Sequence, residues 1–257
     1  MNVIACYKVV PDEQDIVVCP DRTLSFAQAE WKIGQYDLPA LEAGLQLVEA
    51  VGGNLSALSA GSRQLENSKL KKGVLARGPA ELFLVVDEAL AGADSHQTAR
   101  VLAAAIQKIG GADLILCGEG SADLYAQQVG AQLGELLNLP TVNAVSRLTV
   151  EGNKLIAERT LEEVVEVLEI QLPAVVAVTT DMNQPRLPGM KEILAAGKKP
   201  VTEWQLTDID VTGELSRPVT EVISTLAPLP AERKRLIFEG ESEEVIDQFY
   251  TCLRKVL

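Results

Sequence analysis

The chain has 257 residues, 47% of them hydrophobic, and a formal net charge of −13. That length and apolar content suffice for one sizeable core, or one domain with an extension, without disulfide or metal staples. The acidic balance argues against nucleic acid or an anionic membrane as partner, and no stretch reaches the 18 apolar residues of a membrane span, yet small nucleotides stay open, because helix ends and backbone amides bind them with few lysines.

In chain order, the β-branched run Asn2 to Val10 predicts a first strand, ended by Pro11. Asp37 and Pro39 precede a helix with apolar positions Leu41, Leu45, Leu47 and Val48, and Asp37 stands where an N-cap belongs. Leu55 to Ser59 predicts a second strand, and the small turn Ala60, Gly61 and Ser62 leads to a helix around Glu66 to Arg77, stopped by Gly78 and Pro79. A third strand spans Leu82 to Val86, and a third helix spans Thr98 to Ile109. The repeated β-α order favours a parallel sheet with helices on both faces and ligands at the carboxyl ends of the strands.

The stretch LILCGEGSADLYAQQVGAQLGELLNLP, Leu114 to Pro140, is the centre of the pattern. An apolar strand, Leu114 to Cys117, runs into Gly118 and Gly120, and Ser121 and Asp123 offer caps for a helix carrying Leu124, Val129, Leu133, Leu136 and Leu137. A strand, Gly turn and helix in this order can hold a phosphate, and it can equally be an ordinary βα turn. The spacing fits neither GxGxxG nor GxxxxGK[ST]. On the phosphate reading, Gly118→Val fills the space a phosphate needs without unfolding the sheet, and Asp123→Ala removes a helix cap.

After Pro140 the pattern changes. Segments 142–150, 154–160 and 164–172 read as an antiparallel hairpin and meander, and Ala174 to Thr179 as a strand returning to the main sheet. The Pro-bounded stretch DMNQPRLPGMKEILAAGKK, Asp181 to Lys199, is either a docking surface or an ordinary connection. Beyond Trp204, Pro218, Pro228 and Pro230 lead to an amphipathic helix, Glu241 to Leu257, with Ile246, Phe249, Tyr250 and Leu253.

Cys6, Cys19, Cys117 and Cys252 form no CxxC pair, so neither zinc nor an iron–sulfur cluster is signalled, and small buried thiols in a reduced cytoplasm are expected. The single histidine, His96, follows Asp94 and Ser95 and belongs on the first turn of a surface helix. No hydrolytic constellation is present, so no catalytic residue is assigned and chemistry must come from a cofactor.

The loop GEGSADLYAQQVG, the opening MNVIACYKVVPDEQDI and the later LPAVVAVTTDMNQPRLPGMKEILAAGKKPV resemble the β subunits of electron transfer flavoproteins, most closely the bacterial Fix-type branch. The resemblance runs from Met1 to about Asp210. It implies an α/β fold with a parallel Rossmann-like sheet of the adenine-nucleotide-binding type shared with universal-stress proteins, an antiparallel hairpin at about 142–172 and a C-terminal arm. Residues 1–200 would be the nucleotide-binding domain and 201–257 an arm and helix packing on an α subunit. The nucleotide would lie against Cys6, Asp37, Ala60, Gly118, Gly120, Ser121, Asp123, Gln127, Gln128 and Gly130. A partner loop at about 181–197 would dock through Leu187, Pro188 and Met190.

The implied function is electron carriage in a heterodimer rather than enzymatic turnover. FAD would be held mainly by the α subunit, with a second FAD or AMP in this chain. Electrons would pass to or from an acyl-CoA or carnitinyl-CoA type dehydrogenase or reductase, or a quinone oxidoreductase, in the cytoplasm. Flavin-based bifurcation is left open. The alternative is a stand-alone adenine-nucleotide-binding module of the universal-stress type, which is usually shorter and lacks the hairpin, loop and arm.

Overall fold

A computed structural model describes residues 1–213, 217–229 and 235–255. Pro230 and the last two residues of the expected final helix, Val256 and Leu257, lie outside the described residues. The chain forms two compact units, one of residues 1–17 with 25–224, the other of residues 18–24 with 225–257.

In the first unit the elements run β1 (Asn2–Cys6), α1 (Leu38–Val51), β2 (Asn54–Gly61), α2 (Ser68–Leu75), β3 (Glu81–Val86), α3 (Ser95–Ile109), β4 (Leu114–Gly118) and α4 (Val129–Leu137). They continue with β5 (Thr141–Glu151), β6 (Lys154–Thr160), β7 (Val165–Gln171), β8 (Ala174–Val178), α5 (Met190–Ala196) and β9 (Val201–Trp204). Among the described residues these strands make one sheet in the order β7-β6-β5-β8-β4-β1-β2-β3-β9. Pairing is parallel from β5 to β9 and antiparallel only where β6 and β7 extend the sheet. Successive crossovers carry the chain from β1 through β2 to β3, and then back to β4 on the other side of β1. The strand order therefore reverses between β1 and β4, where Ala5 pairs with Leu116, and such a reversal opens a crevice at the carboxyl ends.

Alternating side chains split the core into two layers, as a sheet covered on both faces requires. Val3, Ala5, Leu55, Leu82, Leu114 and Leu116 face α1 and α2 residues Leu41, Leu47, Val74 and Leu75. Ile4, Leu58, Phe83, Val85 and Ile115 face α3 and α4 residues Val101, Leu102, Ile106 and Leu133. The apolar runs of β4 and β8 are buried on both sides, which is why they read as unbroken hydrophobic stretches. Among the described residues no helix is long and apolar enough to cross a membrane.

The structure corrects three boundaries. The first strand stops at Cys6 instead of Val10, because the Lys8 amide turns aside to donate to the Asp37 carboxylate and Val9–Pro11 then pairs with Trp31–Ile33. Helix α4 starts at Val129, not at Leu124: Tyr125 and Gln127 take left-handed backbone, and Leu124 is left 71% exposed. The expected antiparallel hairpin and meander forms as β5, β6 and β7, and it is joined to the main sheet because β5 also pairs parallel with β8 through Thr141 and Val142. Residues 201–204, expected in an arm, are edge strand β9, where Trp204 stacks on Phe83 with ring centroids 5.4 Å apart.

In the second unit, the Ala227 amide donates to the Arg22 carbonyl at 2.9 Å, and helix α6 spans Glu243–Leu253 behind a Ser242 cap. Phe238 meets Phe249 edge-on at 5.7 Å. Helix α6 buries no residue, and Ile246, Phe249, Tyr250 and Leu253 all stay exposed.

Candidate functional site

At the crevice between β1 and β4 the first notable group is Asp37. It occupies the N-cap position of α1, but its side chain does not cap the helix. Instead one carboxylate oxygen accepts the Lys8 amide at 2.8 Å, and the Gly118 amide also bonds the group. The carboxyl thus ties the ends of the two strands that diverge at the reversal. It is 6% exposed. Burial pushes its pKa up to about 7, against the opposing pull of the Lys8 and Gly118 amides. Beneath it, burial raises the Tyr7 phenol, and hydrogen bonding to Cys117 together with burial raises the Cys6 thiol. Cys6 therefore offers the site its backbone, with its thiol in the core.

Gly118 lets these parts approach. A Cβ there would lie 2.5 Å from the Tyr36 carbonyl oxygen and 2.7 Å from an Asp37 carboxylate oxygen. Its missing side chain makes room for the start of α1, so a side chain added here collides with Tyr36 and Asp37 before it reaches any phosphate. At Gly120 a Cβ would come within 2.6 Å of the Tyr125 ring. That ring lies 5.0 Å from Tyr36, so two aromatic side chains stand beside the loop.

Ser121 and Asp123 do not cap α4. The Tyr125 amide donates to the Ser121 carbonyl at 3.0 Å, closing a single turn. Asp123 accepts from the Leu124 amide at 2.9 Å and from Lys8 Nζ at 2.6 Å. Burial works against its charge, but Lys8 and Ser121 outweigh burial and hold the carboxyl below its usual value. Gln127 has φ 56° and turns the chain into Gln128, the N-cap of α4. Gln128 makes no side-chain cap; its amide oxygen accepts the Ser95 hydroxyl at 2.6 Å. The first-turn amides of α4 consequently have no side-chain acceptor and carry the positive end of the helix dipole. Gly130 is buried behind them, and Ala60 lies half-buried at the end of β2, next to β1.

Cys6, Ala60 and Gly118 thus stand at the carboxyl ends of β1, β2 and β4, Gly120, Ser121, Asp123 and Gln127 in the loop after β4, Gln128 and Gly130 at the start of α4, and Asp37 at the start of α1, bonded to the Gly118 amide. Residues 23–209 match the family model described as the electron transfer flavoprotein domain. The chain belongs to the electron transfer flavoprotein family. Members of this family are flavoproteins that carry electrons, and the matched segment contains Asp37, the whole Gly118–Gly130 loop and the Pro-bounded stretch after β8.

In this flavoprotein chain the Pro-bounded stretch touches the first turn of α1 through Asn183, which donates to the Pro39 carbonyl, and then exposes apolar side chains. Leu187 is 88% exposed and Met190 76%, with Pro188 partly covered between them. Sequence reasoning missed Lys8, Tyr36 and Tyr125 at the crevice. Lys8 had one usable signal, a cation placed directly after the strand that borders the reversal. The tyrosines had none, because their meeting depends on the left-handed turn at Tyr125. His96 lies on the first turn of α3 behind the Asp94 cap and accepts from Arg100 Nε at 2.8 Å.

Proposed function

We propose that this chain is the β-type subunit of a heterodimeric electron transfer flavoprotein of the Fix-type branch, acting in the cytoplasm. The observation that carries this reading is the uncapped start of α4 beside small strand ends at the β1/β4 reversal, with β4 and α4 inside the family-matched segment. Those amide donors fit the phosphates of an adenine compound, the ADP portion of FAD or AMP. Ala60 and the end of β1 would border its base and ribose. A bound flavin supplies the electron chemistry, and the protein's contribution is to hold and orient it. The α subunit would carry most of the FAD contacts. The exposed face of α6 fits packing on that subunit, and Leu187, Pro188 and Met190 fit docking to an acyl-CoA or carnitinyl-CoA type dehydrogenase or reductase, or a quinone oxidoreductase. A stand-alone universal-stress module needs neither the β5–β7 extension nor an exposed docking segment.

Copurification with the α subunit, followed by counting flavin and AMP per heterodimer, tests the reading. Two flavins, or one flavin with one AMP, support it and identify the second nucleotide. A colourless chain that never associates with a flavin-bearing partner overturns it.

Asp123→Ala is expected to cost less than about 1 kcal/mol in urea unfolding, as a partly exposed ion pair does. It also frees Lys8 and alters the loop, so nucleotide retained after gel filtration should change; unchanged retention and unchanged stability together would place the ligand elsewhere. Leu187→Ala is expected to slow electron transfer to the dehydrogenase about tenfold at subsaturating partner, the scale of a docking anchor, while flavin content stays constant. An unaltered rate removes Leu187 from the docking surface.

A further inference from the structure

Leu187 is exposed, so burial cannot hold it in place. What holds its neighbours is polar. Arg186 lays its guanidinium against two carboxylates of α1. Nε donates to the Glu42 oxygens at 3.0 and 3.1 Å and Nη2 to Glu42 Oε1 at 2.9 Å. Nη1 donates to Glu49 Oε1 at 2.9 Å and Nη2 to Glu49 Oε2 at 3.1 Å. The Arg186 amide donates to Glu42 Oε2 at 3.2 Å, and Asn183 Nδ2 donates to the Pro39 carbonyl at 3.0 Å. Glu42 and Glu49 lie two turns apart on the same face of α1, so one planar fork reaches both.

The two carboxylates are not equivalent. The Glu42 side chain is 5% exposed, and that of Glu49 is 53% exposed. A buried carboxylate is costly unless paired, so Glu42 commits the loop to bring Arg186 to it. Beyond Leu187, α5 buries Ala196, and Lys199 Nζ donates to the Leu75 carbonyl at 2.8 Å. The segment is thus fixed on both sides of its exposed apolar residues.

We propose that Arg186 is a positioning residue for partner docking: clamped to Glu42 and Glu49, it fixes the backbone so that Leu187 and Met190 project from one preset place. This rests on the reading of Leu187 as a docking anchor. A preset anchor binds with less ordering on association than a loose one, so loss of the clamp weakens encounter and leaves the electron-transfer step intact.

The test uses the purified flavin-loaded heterodimer, with an acyl-CoA dehydrogenase reduced by its substrate as the electron partner. KM and kcat for that partner are measured for wild type, Arg186→Lys, Glu49→Gln, Leu187→Ala and the Arg186→Lys/Leu187→Ala double variant. Lysine keeps the charge but cannot span two carboxylates. The expected results for Arg186→Lys are a KM raised about tenfold with kcat within about twofold, faster hydrogen exchange over residues 183–189, and wild-type flavin content. The double variant should be little worse than Leu187→Ala, because an absent anchor has no position to lose. If Leu187→Ala raises KM and Arg186→Lys does not, the positioning role falls and the anchor stands. If neither raises it, the docking reading falls and this inference with it. Should Arg186→Lys fail to fold, Glu49→Gln loosens the clamp at its exposed end, and a KM raised severalfold supports the role while an unchanged KM overturns it.

Discussion

Gly118→Val destabilises the fold by about 3 kcal/mol or more, and any loss of nucleotide follows from that damage. Because the added Cβ would start 2.5 Å from the Tyr36 carbonyl and 2.7 Å from the Asp37 carboxylate, two parts of the same clamp must move. Neither neighbour can easily give way: Tyr36 contributes backbone, and Asp37 is a buried group already bonded to the Lys8 amide. Displacing it would leave an acid without its partners in the interior. Gly120→Ala is the control, since its Cβ meets the half-exposed Tyr125 ring, which can rotate away. Urea unfolding of both variants decides the matter. A Gly118→Val protein of wild-type stability that merely fails to retain nucleotide would restore the view that this glycine makes room for a phosphate.

The second large effect concerns pH. Burial raises the Asp37 carboxyl from its ordinary 3.8 to about 7 in the folded chain, so between those values the native state holds a proton that the unfolded state has released. The native state binds more protons, and stability therefore falls as pH rises from about 4 to about 7 and levels off above that. Between pH 5 and pH 8 this group alone takes away roughly 3 kcal/mol. Asp37→Asn cannot ionise and should lose that slope. It is also expected to lose some stability at pH 5, because a carboxamide offers one acceptor where two amides converge. The measurement is the difference between wild type and variant in urea unfolding at pH 5 and pH 8, which cancels the other titrating groups. A difference that does not change with pH would show that Asp37 titrates as an ordinary carboxyl.

Much of the crevice was legible because its parts are local. An apolar run followed by Gly118 and Gly120 marks a strand end, and the small residues after β1 and β2 mark two more. What the local pattern misplaced was the start of α4. Ser121 and Asp123 are good caps, and Leu124 continues a helical period, yet the chain uses these residues to make a turn and an ion pair to Lys8, 115 positions away. A capping preference of about 1 kcal/mol is easily overridden by such contacts. The same holds at Asp37, where cap chemistry is present but the side chain serves the strand ends. The Arg186 clamp was illegible for a different reason: Glu42 and Glu49 look like two helix-surface acids until an arginine 144 positions from the first lies across them.

The sequence by itself determined the alternation of strand and helix, the family and the small residues at the strand ends, because hydrophobic period and turn chemistry act over a few residues. Tertiary structure alone decided which polar side chains meet: Asp37 with the amides of Lys8 and Gly118, Lys8 with Asp123, Arg186 with Glu42 and Glu49. Those meetings join residues far apart in the chain. Their strength depends on burial and on the strand order that brings β4 back beside β1, which no local window contains.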